Sequence, residues 1–274
     1  MKKKSNILKA IFIFMVVLLI LFLITILSLL KLFFIKDKQE NTKRIIESKY
    51  SINNYDELIF DFKRANVVFK TTNDVDLIIV QNTMEEKLYL NVNKIQNQLY
   101  VEEDSNIFDD TSKKFTIKIP NNFNGNIIIN NSFGELNIYN IVPNLTIDNN
   151  SGEVNVFNSR NINIKDVSGN INLDGIIGDT TISSSTGNIN IRGIEGKLNI
   201  DTLTGNVTVK NFKIDDNSKI ENISGDITVS ISKDSICKID ATNENGKLKI
   251  NKEKCNDKKN IFEIKNITGN INIK

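Results

Sequence analysis

From residue 125 onward, apolar and polar positions alternate in short triplets that return at a nearly fixed interval. The first apolar position recurs at Ile127, Leu136, Leu145, Val154, Ile162, Ile171, Thr180, Ile189, Leu198 and Val207, in steps of nine residues with a single eight. It then continues less evenly through Ser218, Ile227, Cys237, Leu248, Phe262 and Ile271. A second position two residues later runs from Ile129 to Ile273 and is never polar. Between the two stand Asn or Thr, as at Asn137, Asn155, Asn172, Asn190, Thr208 and Thr228. Such an in-out-in triplet, rich in β-branched residues, predicts a short strand with one buried face. Two inward side chains are too few for a strand to fold alone. Sixteen of them in succession therefore predict neighbours stacked in register.

The glycines carry a doubled period. Gly134, Gly152, Gly169, Gly187, Gly205, Gly225, Gly246 and Gly269 precede every second strand, where a corner that needs positive φ suits glycine. One coil is then about eighteen residues and two short strands, repeated about eight times. A parallel β-solenoid and an antiparallel meander of hairpins both fit. The solenoid is favoured, because a single meander leaves one apolar face uncovered while opposed sheets cover each other. The segment "KEKCNDKKN", Lys252 to Asn260, reads as an insertion at a corner. Residues 55–124 hold less regular strands, expected to cap the N-terminal end of the stack, and 125–274 form the regular repeats. The final strand, Asn270 to Lys274, is expected to leave an edge open to self-association.

The stretch Ala10 to Leu30 is uncharged and apolar, long enough to cross a bilayer core of ~30 Å at ~1.5 Å per residue. It lacks the short apolar region and cleavage site of a signal peptide, so residues 1–35 read as an N-terminal flank and a single transmembrane anchor. Lysines flank it on both sides, and the positive-inside count leaves its orientation open. Residues 36–54 are polar and read as a stalk.

Composition narrows the function more by exclusion than by indication. The chain is 40% apolar and 25% charged, as folded proteins are, and its net charge of +2 with four scattered arginines does not make a nucleic-acid footprint. It has no histidine, which excludes His-based metal sites and Ser-His-Asp triads. Adjacent acids, Glu85/Glu86, Glu102/Glu103, Asp109/Asp110 and Asp215/Asp216, do not face one another across a cleft as glycosidase carboxylates must. No cofactor or metal is expected. Cys237 falls at a core position and Cys255 in the polar insertion, a placement that argues against a disulfide. The outward column Asn137, Asn155, Asn172 and Asn190 is the candidate surface ladder, its amides bonding each other or a sugar.

The anchor, the run ending in "KKFTIKIP" (Lys113 to Pro120), and the units "SGEVNV", "SGNINL", "TGNINI", "TGNVTV" and "SGDITV" resemble the putative-adhesin β-strand-repeat family of bacterial membrane-anchored proteins, a domain of unknown function. The resemblance spans roughly residues 55–274 and implies an exported β-solenoid at the cell envelope, with no catalytic motif. The expected role is therefore that of a single-pass protein of the cytoplasmic membrane, its repeat domain extracytoplasmic. It would act by surface contact with a cell-wall polymer or an envelope membrane protein, as an adhesin or an envelope-stress accessory. Two alternatives remain open: a cytoplasm-facing scaffold that self-assembles, and a carbohydrate-active β-helix enzyme.

Overall fold

A computed structural model of the chain describes residues 15, 18–31, 44–83, 88–104, 113–235, 237–251 and 260–274. Contacts divide it into two units, residues 1–44 with 83–86 and residues 45–82 with 87–274. In the first, residues 18–31 are helical, and aliphatic side chains from Leu18 to Leu30 are exposed. Among the described residues no helix is long and apolar enough to cross a membrane. Residues 10–14, 16 and 17 of the expected span lie outside the described residues.

The second unit is built of strands. The stack at its centre follows the chain: β8 (Asn126–Asn131) and β9 (Leu136–Tyr139), β10 (Asn144–Ser151) and β11 (Val154–Phe157), β12 (Arg160–Ser168) and β13 (Ile171–Thr186), β14 (Ile189–Glu195) and β15 (Leu198–Thr204), β16 (Val207–Lys213) and β17 (Ser218–Ser224), then β18 (Ile227–Ile231). Every pairing among these strands is parallel. Equivalent residues meet from coil to coil, Ile127 beside Leu145 beside Ile162 and Ile171 beside Ile189 beside Val207. The long β13 turns a corner. Its first half pairs with β11 and β14 in one sheet and its second half with β12 and β15 in the other.

The two sheets face each other across columns of aliphatic side chains. Ile164, Ile182, Ile200, Ile220 and Ile264 line one side and Leu173, Ile191, Val209, Val229 and Ile273 the other, all essentially inaccessible. Each contributes roughly 1.5–3 kcal/mol through removal from water. That burial exists only because a coil lies above and below.

At both ends of the stack, coils depart from chain order. β2 (Glu57–Phe62) and β3 (Asn66–Thr72) sit between β8–β9 on one side and β6 (Gln98–Glu103) with β7 (Lys114–Pro120) on the other. Beyond them β4 (Asp76–Thr83) runs antiparallel to β7 and β5 (Leu90–Ile95) antiparallel to β6. At the opposite end β19 (Lys238–Asn245) and β20 (Leu248–Ile250) are outermost, and β21 (Ile261–Thr268) with β22 (Ile271–Ile273) lies between them and β17–β18. The expected open edge at Asn270 to Lys274 is thus corrected: β22 is paired on both sides, and the outer strands are β19 and β20. Burial explains the exchange. Phe262, Ile264, Ile271 and Ile273 are fully buried in the inner slot, as are Leu58, Phe60, Phe62, Val67 and Phe69 at the other end. Ala241 and Ile250 of the outer coil are only half-buried, and Leu248 is 44% exposed. The coil with the larger apolar surface takes the covered position.

Two further expectations change. The polar segment 36–54 does not remain a stalk throughout, because β1 (Arg44–Ser51) joins β4, Tyr50 packs on the core and Ile52 is buried. The alternation of Ile46, Ser48 and Tyr50 suffices for an edge strand. Cys237 is buried as expected, but it is disulfide-bonded, against the expectation from the placement of the two cysteines. The chain's other cysteine is Cys255, within the 252–259 segment that lies outside the described residues.

Candidate recognition face

The corner glycines form one column through the stack. A Cβ on Gly152 would lie 2.0 Å from the carbonyl oxygen of Gly134, and one on Gly187 1.8 Å from that of Gly169. The contacts continue through Gly205, Gly225 and Gly269 to Gly246, which reproduces the exchanged order of the last two coils. All eight have positive φ except Gly169. Close stacking, as much as turn geometry, therefore demands glycine.

Three residues before each of these glycines stands an inward polar residue that the triplet pattern missed. Asn131, Asn149, Asp166, Ser184, Thr202, Asn222 and Asn266 are buried, and Asn243, before Gly246 in the outermost coil, is half-buried. Asn131 Nδ2 donates to Asn149 Oδ1 at 2.7 Å and to Gly134 O at 3.0 Å, and Asn149 Nδ2 donates to Gly152 O at 2.9 Å. At Asp166, Asn149 Nδ2 donates at 2.6 Å and Ser184 Oγ at 3.1 Å. Burial pushes this carboxyl above the usual range, and the two hydrogen bonds pull the other way. The Asn-x-x-Gly spacing was the available signal.

The sheet made by β9, β11, the first half of β13, β14 and β16 presents two outward columns. Alternation along each strand puts Asn137, Asn155, Asn172 and Asn190 in one, continued by Thr208. Their amides bond from coil to coil, Asn155 Nδ2 to Asn137 Oδ1 at 3.2 Å, Asn172 Nδ2 to Asn155 Oδ1 at 2.8 Å and Asn190 Nδ2 to Asn172 Oδ1 at 3.0 Å. Glu135 accepts from Asn137 and Asn155, and Glu153 from Asn172. The ladder's first task is therefore structural.

The second column lies two residues further along each strand and changes chemistry from coil to coil: Tyr139, Phe157, Asp174, Arg192, Lys210. The Tyr139 and Phe157 rings are stacked, with centroids 5.0 Å apart and planes within 7°. Arg192 is ion-paired with Asp174. Its guanidinium holds the Asp174 carboxyl below the usual range, and the same bond raises Arg192. Lys210 has no ion-pair partner among the described residues. Between the columns runs a groove of about 250 Å³, with Phe157, Asn172, Asp174, Asn190, Arg192 and Lys210 on its walls.

The acidic pairs serve other ends. Glu103 accepts hydrogen bonds from the backbone N–H groups of Lys63, Arg64 and Ala65, while Asp216 accepts from the N–H of Asn217. Glu85/Glu86 and Asp109/Asp110 lie outside the described residues. Among the described residues no group of His, Cys, Asp or Glu could hold a metal ion.

This layout has a counterpart among known domains: the family described as Toastrack DUF4097 matches residues 55–273. The chain belongs to that family. This Toastrack protein also matches a solved putative adhesin from Bacteroides fragilis at 16% identity, covering 85% of this chain and 98% of that one, with a TM-score of 0.53. A solved putative cell adhesion protein from Clostridium sporogenes matches at 13% identity over 85% of this chain and 99% of that one, with a TM-score of 0.34. No curated protein matches the chain. The Bacteroides likeness supports the fold of the Toastrack domain. Tyr139, Phe157, Asp174, Arg192 and Lys210 were not legible as a site, because only their register brings them together.

Proposed function

We propose that this Toastrack protein is a single-pass membrane protein that holds its β-solenoid on the extracytoplasmic side and acts there by surface contact, as an adhesin or an accessory of the cell envelope. The observation that carries the orientation is the disulfide-bonded Cys237. Disulfides persist in oxidising compartments, whereas cytosolic thiols stay reduced, so this bond weighs against the cytoplasm-facing scaffold. The apolar run from Ala10 to Leu30 supports the anchor. Surface contact is favoured over an enzyme by the outer face itself: Asp174 is paired with Arg192 and Glu135 and Glu153 are bonded to the asparagine ladder, while a shallow groove and that ladder of amides are turned outward. Protease treatment of intact cells, followed by blotting for the repeat domain, tests the reading. Digestion of the domain is the expected result, and full protection would place it inside and end the proposal.

A further inference from the structure

We infer that the groove beside Phe157 binds a carboxylate-bearing pyranose, a six-membered sugar ring with an acid group, within a glycan. The inference deepens the surface-contact reading and rests on it. Tyr139 and Phe157 occupy the same register position on adjacent coils, and their 5.0 Å separation matches the ~4.8 Å strand spacing, so the stack runs along the coil axis. Tyr139 covers one face of Phe157. The other face borders the groove, on the side of the coil that carries Asp174. An aromatic face with its negative quadrupole suits the polarised C–H face of a sugar ring. The ladder side of the groove carries Asn172, Asn190 and Thr208, whose amides and hydroxyl suit ring hydroxyls.

Charge selects the acid. Two cations, Arg192 and Lys210, share the groove with one anion, Asp174, and Arg192 is already engaged with it. Lys210 is left without an ion-pair partner among the described residues, one register step from Arg192. A carboxylate at that place gains a charge-assisted hydrogen bond. The volume of about 250 Å³ falls just below the ~300–1,000 Å³ of small-molecule sites, which fits one sugar unit of a longer chain rather than a whole ligand.

The test uses the full chain in detergent micelles, with saturation-transfer NMR and calorimetric titration. Three probes are compared: digalacturonate, the disaccharide of N-acetylglucosamine and N-acetylmuramic acid, and neutral cellobiose. Binding of either acidic probe at least about tenfold tighter than cellobiose is expected, the difference a charged hydrogen bond makes. Which acidic probe binds better tells a uronate polymer from a wall glycan. Lys210→Glu weakens that binding by about tenfold or more, and Lys265→Glu on the opposite sheet leaves it unchanged. Phe157→Ala removes saturation of the ring protons, with Phe157→Leu and a thermal melt as controls for folding. Equal affinity for cellobiose, indifference to both Lys210→Glu and Phe157→Ala, or no binding of either acid overturns the inference. Failure here with a protease-accessible domain on cells sinks the groove alone. Protection of the domain on cells sinks the surface-contact reading whatever the sugars do.

Discussion

Gly187 and Gly193 stand six positions apart and do different work. Gly187, at φ 128°, would bring a Cβ within 1.8 Å of a backbone oxygen, whereas Gly193, at φ 64°, has nothing nearer than 3.7 Å. Gly193→Ala is therefore expected to cost only the roughly 1–2 kcal/mol of a left-handed residue. Gly187→Ala must also force two coils apart, and should exceed about 4 kcal/mol in denaturant unfolding. Asp166 supplies a second test at this scale. Its carboxyl stands where Asn131, Asn149, Asn222 and Asn266 occupy the same buried column, and burial raises its pKa. A raised folded-state pKa means that its stabilising contribution is complete below the unfolded carboxylate value and is lost as pH rises through the folded one. Asp166→Asn should accordingly be more stable than the parent at pH 7, with the advantage shrinking toward pH 4. Urea unfolding at both values measures it, and an advantage constant with pH would refute the assignment.

Among the elements, what could be read from the sequence was whatever repeats. The inward columns and the positions of Asn137, Asn155, Asn172 and Asn190 follow from a nine-residue alternation. In the register of the strands those four amides share one column. Slot order could not be read, because alternation specifies which face a residue takes and not which neighbour it meets. The placement of β21–β22 inside β19–β20 is decided by Phe262 and Ile264 competing with Ile239 and Ala241, a comparison between coils. The disulfide escaped because Cys237 at a core position and Cys255 in a polar insertion argue, by placement alone, against a bond. The groove residues escaped because Tyr139, Phe157, Asp174, Arg192 and Lys210 share no chemistry. Reduction of the Cys237 disulfide should lower unfolding stability by about 2–4 kcal/mol, seen as a fall in the denaturation midpoint with dithiothreitol. No change on reduction would mean that the bond does not form in the isolated protein.

For the molecule as a whole, the stack behaves as a one-dimensional solid in which each coil interacts with its neighbours. Repeating the eighteen residues 187–204 after Thr204 should add a rung without disturbing the others. The expected product has proportionally greater strand circular dichroism and a melting temperature unchanged or raised by a few degrees. Aggregation or loss of cooperativity would show that the coils are not interchangeable. The exchanged coils impose a condition of another kind, on timing. Among the described residues, the strand partners of β19 and β20 lie in segments synthesised after them, and β2–β3 likewise waits for β6–β9. A chain emerging N-terminus first can wind its middle rungs as they appear, while both outer closures stay unlatched until the keystone segments arrive.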